Sequence, residues 1–204
     1  MIHNDMPKGS LEVICGSMFS GKSEELIRRL KRLLIAGLKV QVFKPDIDKR
    51  FSYTHIVSHN GTKIKAVPIK SPKHIIALMS NDTQAVAVDE VQFFSDDIAD
   101  VCCKIADSGR KVIVAGLDMD FRGRPFGAMP MLMAQAECVT KLKAVCSVCG
   151  DDASKTLLMV NGKPAVNIGD KDNHILIGAA DKGYAPVCRS CYVTAFRNAD
   201  SNRI

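Results

Sequence analysis

Eight consecutive residues, Gly16-Ser17-Met18-Phe19-Ser20-Gly21-Lys22-Ser23, satisfy G-x-x-x-x-G-K-[ST] at each fixed position, between an apolar run and an amphipathic pattern. Such a segment confines the chain to folds in which a strand enters a phosphate-gripping turn and leaves as a helix. Gly16 and Gly21 let the backbone curl so that successive N–H groups face phosphate oxygens. Lys22 adds a mobile positive charge, and Ser23 offers a hydroxyl to Mg²⁺. Upstream, Leu11 to Cys15 reads as a buried strand. Downstream, Ser23 to Ala36 reads as a helix, with Leu26, Ile27, Leu30, Leu33 and Leu34 on one face, Glu24 and Glu25 in the first turn and Gly37 after the last. The N-terminus of that helix then points at the phosphates.

A chain of 204 residues can bury a core without cross-links. Its 47% hydrophobic and 25% charged residues are those of a globular protein, Met1 to Ser10 holds no apolar signal core, and no segment is long enough to span a membrane. The expectation is a cytoplasmic protein, in which the eight cysteines are thiols or metal ligands rather than disulfides. The net charge of +6 is concentrated between Lys22 and Arg50, where nine Lys or Arg face four Asp or Glu. This basic excess suits a polyanion, and it equally suits a solvated helix face opposite the leucines.

Strand and helix alternate through the first two thirds. Val40 to Lys44 reads as a strand stopped by Pro45, Asp46 to Pro72 as a mobile loop with a short hairpin, and Pro72 to Ser80 as a helix. Ala85 to Asp89 is an apolar run ending in an acid, as a buried parallel strand reads. Ser95 is the expected cap of a helix with Ile98, Val101, Cys102 and Ile105 inward, and Lys111 to Gly116 is the next strand. The alternation predicts an α/β domain over residues 9–143 with a mainly parallel sheet and a crevice at the strands' C-terminal ends. Residues 144–194 read as a small second domain, with 1–8 and 195–204 as flexible termini.

Asp89 stands where a phosphate-loop protein needs an acid near Mg²⁺, and Glu90 follows it. A carboxylate there can orient a water for hydrolysis or take the proton of an acceptor hydroxyl, and both jobs fit the spacing. Farther on, Cys146-Ser147-Val148-Cys149 and Cys188-Arg189-Ser190-Cys191 are two C-x₂-C pairs separated by 38 residues. Four thiolates with no open position describe structural zinc, with redox dithiols as the competing use of the same spacing. Cys15 and Cys102 read as core residues, and Met129, Met131 and Met133 as packing at a helix start.

Together, Gly16 to Ser23 with Met18-Phe19-Ser20 inside the loop, Asp89-Glu90-Val91-Gln92-Phe93-Phe94, Gly116-Leu117-Asp118, Phe121-Arg122-Gly123, Pro125-Phe126-Gly127 and the two cysteine pairs resemble the zinc-containing, cytosolic-type (type II) thymidine kinases over residues 9 to about 192. The resemblance implies a RecA-like domain plus a zinc-binding lasso, and transfer of the ATP γ-phosphate to the 5′-hydroxyl of thymidine. Glu90 matches the general base, and Ser23 and Asp89 match the magnesium positions. Gly16, Ser17, Met18, Phe19, Ser20, Gly21, Lys22 and Ser23, with Asp89, Glu90, Val91 and Gln92, match the ATP site. Ile175, Leu176, Ile177 and Gly178 fall where the lasso backbone reads thymine. Tyr184 and Phe121 match aromatic residues around the nucleoside, while Met18 and Leu117 border its methyl group. Cys146, Cys149, Cys188 and Cys191 match the zinc ligands, although some members place a histidine in the second pair. Gly183 is one residue more than some lassos carry, and Arg50 resembles a position beside the nucleotide. A homotetramer and feedback inhibition by dTTP are also implied. A DNA-stimulated, RecA-like ATPase with a zinc ribbon is the alternative, favoured by the basic excess and opposed by the lack of aromatic and basic interleaving in the ribbon.

Overall fold

The computed structural model describes residues 9–48, 52–57, 61–160, 163–165 and 183–201. The apolar runs become the strands β1 (Ser10–Gly16), β2 (Val40–Pro45), β6 (Ala85–Val88) and β7 (Lys111–Gly116), after the short β3 (His55–Val57), β4 (Lys63–Lys65) and β5 (Val67–Ile69). With β8 (Cys138–Leu142) they form a six-stranded sheet in the order β5-β2-β6-β7-β1-β8, every pairing parallel. The helices are α1 (Lys22–Ile35), α2 (Lys73–Leu78), α3 (Asp97–Asp107) and α4 (Met129–Gln135).

Neighbouring residues of a strand face opposite sides of a sheet, so a strand apolar throughout must be covered twice. Leu11, Val13, Val86, Val88, Val112 and Val114 pack on one side with Ile98, Cys102 and Ile105 of α3 and with Met129 and Leu132 of α4. Ile14, Ala87, Ile113 and Ala115 meet Leu26, Ile27 and Leu30 of α1 on the other. α1 ends in a Schellman motif: Leu38 N–H reaches the Leu33 carbonyl and Gly37 N–H reaches Leu34, both at 3.0 Å. Gly37, at φ 79°, supplies the left-handed residue that this motif needs.

Several local expectations change. The stretch after Pro45 does contain a hairpin, β3 against β4. It also contributes β5 as an edge strand, where Pro68 is tolerated because a Pro-bearing strand needs only one partner. β8 forms the opposite edge. Ser95 does not cap α3: the N-cap is Asp96, and the Ser95 hydroxyl donates to the Asp97 carboxylate.

The remaining segment folds as β9 (Ala144–Val145), β10 (Asp152–Ala153), β11 (Lys155–Val160), β12 (Lys163–Pro164), β13 (Tyr184–Val187) and α5 (Arg189–Ser201). β9 pairs with β10, and β11 lies between β12 and β13, all antiparallel. α5 corrects the flexible terminus expected from residue 195, since Ala195 and Phe196 pack on the cluster formed by Cys146, Leu157, Val187 and Cys188. Residues 1–8 lie outside the described residues. Among those described, no helix is long and apolar enough to cross a membrane.

Candidate active site

The phosphate loop links β1 to α1 at the C-terminal edge of the sheet. Gly16 (φ 143°), Phe19 (φ 64°) and Gly21 (φ 82°) all have positive φ, which turns the chain tightly enough to start α1 at Lys22. A Cβ on Gly16 would lie 2.3 Å from the Leu142 carbonyl, so no larger residue fits. Lys22 Nζ donates to the Ser17 carbonyl at 2.8 Å. The Ser20 hydroxyl is buried and has no hydrogen-bond partner among the described residues, as suits a cradle completed by phosphate.

Across β7, the end of β6 delivers the acids. Ser23 Oγ donates to Asp89 Oδ2 at 3.2 Å, so two hard oxygen donors stand side by side, a set that fits Mg²⁺. Asp89 is 7% exposed. Burial, then the charges of Glu90 and Asp48, push its carboxyl up to about 7, and a bound cation would offset this effect. Lys44 and Asp48 form a buried ion pair at 3.1 Å close by, and Lys44 also donates to the Ser52 carbonyl at 2.9 Å.

Glu90 has φ 51°, an unusual conformation for a non-glycine residue that is held by the tight turn into the 3₁₀ segment Val91–Phe93. Its carboxylate accepts from Gln92 Nε2 at 2.6 Å. Val91 and Gln92 are buried, and Gln92 Oε1 accepts from Leu117 N–H at 3.0 Å. At the end of β7, Asp118 pairs with Lys141 at 2.7 Å through Oδ2, while its buried Oδ1 has no partner among the described residues.

The C-terminal segment is bolted to the loop itself. Ser17 Oγ donates to the Ala153 carbonyl at 3.1 Å, and Met18 N–H donates to Thr156 Oγ1 at 3.0 Å. Met18, Phe19 and Phe121 pack against Leu158, Ala165 and Tyr184, and the Phe121 and Tyr184 rings meet edge to face at 6.5 Å. Tyr192 of α5 donates its hydroxyl to the Phe121 carbonyl at 2.9 Å. Three expected nucleoside contacts, Met18, Phe121 and Tyr184, therefore share one cluster. Leu117 is tied to Gln92 instead, and Ile175 to Gly178, with Arg50, lie outside the described residues. Gly183, at φ 83°, gives its carbonyl to Met159 N–H, and a Cβ there would sit 2.2 Å from the Met159 carbonyl.

The sulfurs of Cys146, Cys149, Cys188 and Cys191 lie within 4.8 Å of one another, and Cys149 Sγ is 3.6 Å from Cys188 Sγ. Tetrahedral zinc with Zn–S near 2.3 Å sets sulfurs about 3.8 Å apart, so the cluster fits structural zinc. Hydrogen bonds with Cys188 and Cys149 push the Cys191 thiol up to about 12, which zinc would reverse by binding the thiolate.

Sequence reading missed two contributors. Thr156 sits in an otherwise unremarkable strand, and only its contact with Met18 reveals it. Asp118 belongs to a quoted motif, yet nothing local signals its burial.

Two solved structures resemble this chain at low identity. One is the ATPase DotB of Legionella pneumophila, 17% identical, with a TM-score of 0.40 and coverage of 63% of this chain and 35% of that one. The other is the flagellar accessory protein FlaH of Methanocaldococcus jannaschii, 14% identical, with a TM-score of 0.45 and coverage of 78% and 76%. This chain thus spans about a third of DotB's length. A family model described as thymidine kinase matches residues 9–192, from the first strand through the second cysteine pair, and the chain belongs to the thymidine kinase family.

Proposed function

We propose that this nucleoside kinase transfers the γ-phosphate of ATP to the 5′-hydroxyl of thymidine or deoxyuridine, as a step in nucleotide salvage. The observation that carries this reading is the cluster in which Met18 of the phosphate loop packs with Phe121 and Tyr184. It sets an aromatic wall suited to a planar base against the loop that would hold ATP.

In this reading the loop amides and Lys22 cradle the phosphates, and Ser23 and Asp89 hold Mg²⁺. The cation, when bound, neutralises phosphate charge. Glu90 accepts the 5′-hydroxyl proton as that oxygen bonds to the γ-phosphorus, the bond to the β,γ-bridging oxygen breaks, and ADP leaves. Positioning and charge stabilisation supply most of the rate. An open cleft of about 480 Å³, lined by Ser20, Gly21, Glu24, Arg28, Lys31 and Thr62, flanks the loop and has the volume for the remainder of a nucleotide. The four cysteines would hold structural zinc, which would tie the two pairs together. The division at residue 143, the lasso contacts of Ile175 to Gly178, the homotetramer, dTTP feedback and the cytoplasmic address belong to the same proposal.

The test is ADP release from Mg²⁺-ATP with thymidine, deoxyuridine, deoxycytidine, deoxyguanosine, single-stranded DNA or no acceptor. Turnover confined to thymidine and deoxyuridine is expected. Turnover with DNA, or without any acceptor, would replace hydroxyl activation by water activation at Glu90.

A further inference from the structure

We propose that Gln92 is the positioning residue for Glu90: its side-chain amide fixes the direction of that carboxylate by bridging it to the backbone at the end of β7. The proposal rests on the reading of Glu90 as the base.

Glu90 cannot be aimed by regular secondary structure. It follows the last residues of β6 in a left-handed conformation and precedes a single 3₁₀ turn. Gln92, two residues on, is 2% exposed. Its Nε2 donates to Glu90 Oε2 at 2.6 Å while its Oε1 accepts from Leu117 N–H at 3.0 Å. The two bonds settle the amide orientation. Turned over, the amide would set its oxygen against the Glu90 carboxylate and its NH₂ against a backbone N–H, so both contacts would become repulsive.

The bridge has little room to move. A Cβ on Gly116 would lie 2.6 Å from Gln92 Oε1, and one on Gly127 would lie 2.5 Å from the Gln92 carbonyl. Two glycines thus let separate stretches of chain close around this one residue. Gln92 is held by β7 and the turn before α4, and it passes that rigidity to Glu90. A reacting carboxylate needs such support, because a displacement of about 1 Å can cost on the order of 10²-fold in rate.

The test is a double-mutant cycle on the full chain, with kcat and KM for ATP and thymidine measured for wild type, Gln92→Met, Glu90→Gln and the double variant. Gln92→Met should lower kcat about 10- to 100-fold and change each KM less than about threefold. Glu90→Gln should lower kcat about 10²- to 10⁴-fold. In the Glu90→Gln background, Gln92→Met should cost less than about twofold, because the group it aims has already lost its charge. If Gln92→Met fails to fold, Gln92→Leu carries the same cycle, since it removes both side-chain hydrogen bonds without placing a second carboxyl beside Glu90. Equal losses in both backgrounds, or a loss confined to KM, would overturn the positioning role while leaving Glu90 as base. A Glu90→Gln variant with undiminished kcat would overturn the base reading and this one with it.

Discussion

The two halves of this molecule are held by different means. In the sheet half, among the described residues, one core cluster of twenty buried residues draws on five strands and three helices, and a second covers the opposite face under α1. In the cysteine half, the main cluster among the described residues has six buried members, and two of them are Cys146 and Cys188. A metal ion held by the four cysteines would add stabilisation to that cluster. Yet the smaller half provides Ala153 and Thr156 to the phosphate loop and Tyr184 to the aromatic wall. The sheet half presents Asp89 and Glu90, and the cysteine half packs on the phosphate loop beside them.

Removing the metal breaks this comparison most directly. Cys146→Ser, or chelation of the wild type, should lower bound zinc and weaken thymidine binding on the order of 10- to 100-fold, because the ordering entropy of the long loop then falls on each binding event. ATP binding should fall less, and far-UV circular dichroism should keep the signal of the parallel sheet. Unchanged thymidine affinity in zinc-free protein would separate the metal from the nucleoside pocket.

That contrast matches what was legible beforehand. β1, β2, β6, β7, α1 and α3 could be read because burial on two faces writes continuous apolar runs, and burial of one helix face writes a 3.6-residue period. β8 escaped because Cys138, Val139 and Lys141 are exposed on an edge strand paired only with β1. β5 escaped because it is three residues long with proline at its centre. α5 had a pattern, Cys191, Tyr192, Ala195 and Phe196 at helical spacing, but the cysteine spacing dominated the reading of that region. Within the candidate site, the grouping of the four cysteines and the meeting of Ser23 with Asp89 were legible because each follows from local spacing. Thr156 and the bridging role of Gln92 were not, since each is defined by a partner from another strand or loop.

A smaller effect sharpens the comparison at the seam between the halves. Thr156→Val keeps the shape of the side chain and removes the acceptor of Met18 N–H. The loop then has one fewer fixed amide, and a hydrogen bond of this kind contributes about 1 kcal/mol. KM for ATP should rise about three- to tenfold with zinc content unchanged. An unaltered KM would mean that the halves touch at the phosphate loop without energetic coupling.

The smallest effect lies wholly within the sheet half, where stability is spread over many weak terms. Hydrogen bonding to Arg28, and then to Arg29, holds the Glu25 carboxyl down at about 2. Its folded value lies below the ordinary 4.5, so the stabilisation is complete above about pH 4.5 and disappears as the pH falls toward 2. Arg28 is largely exposed, so solvent screens the pair. Glu25→Gln should therefore lower Tm at pH 7 by only about 2 to 4 °C. The gap between variant and wild type should narrow steadily as the solution is acidified through that window. A gap that stayed constant down to pH 3 would assign the loss to helix packing rather than to charge, and the sheet half would then depend on Glu25 for shape alone.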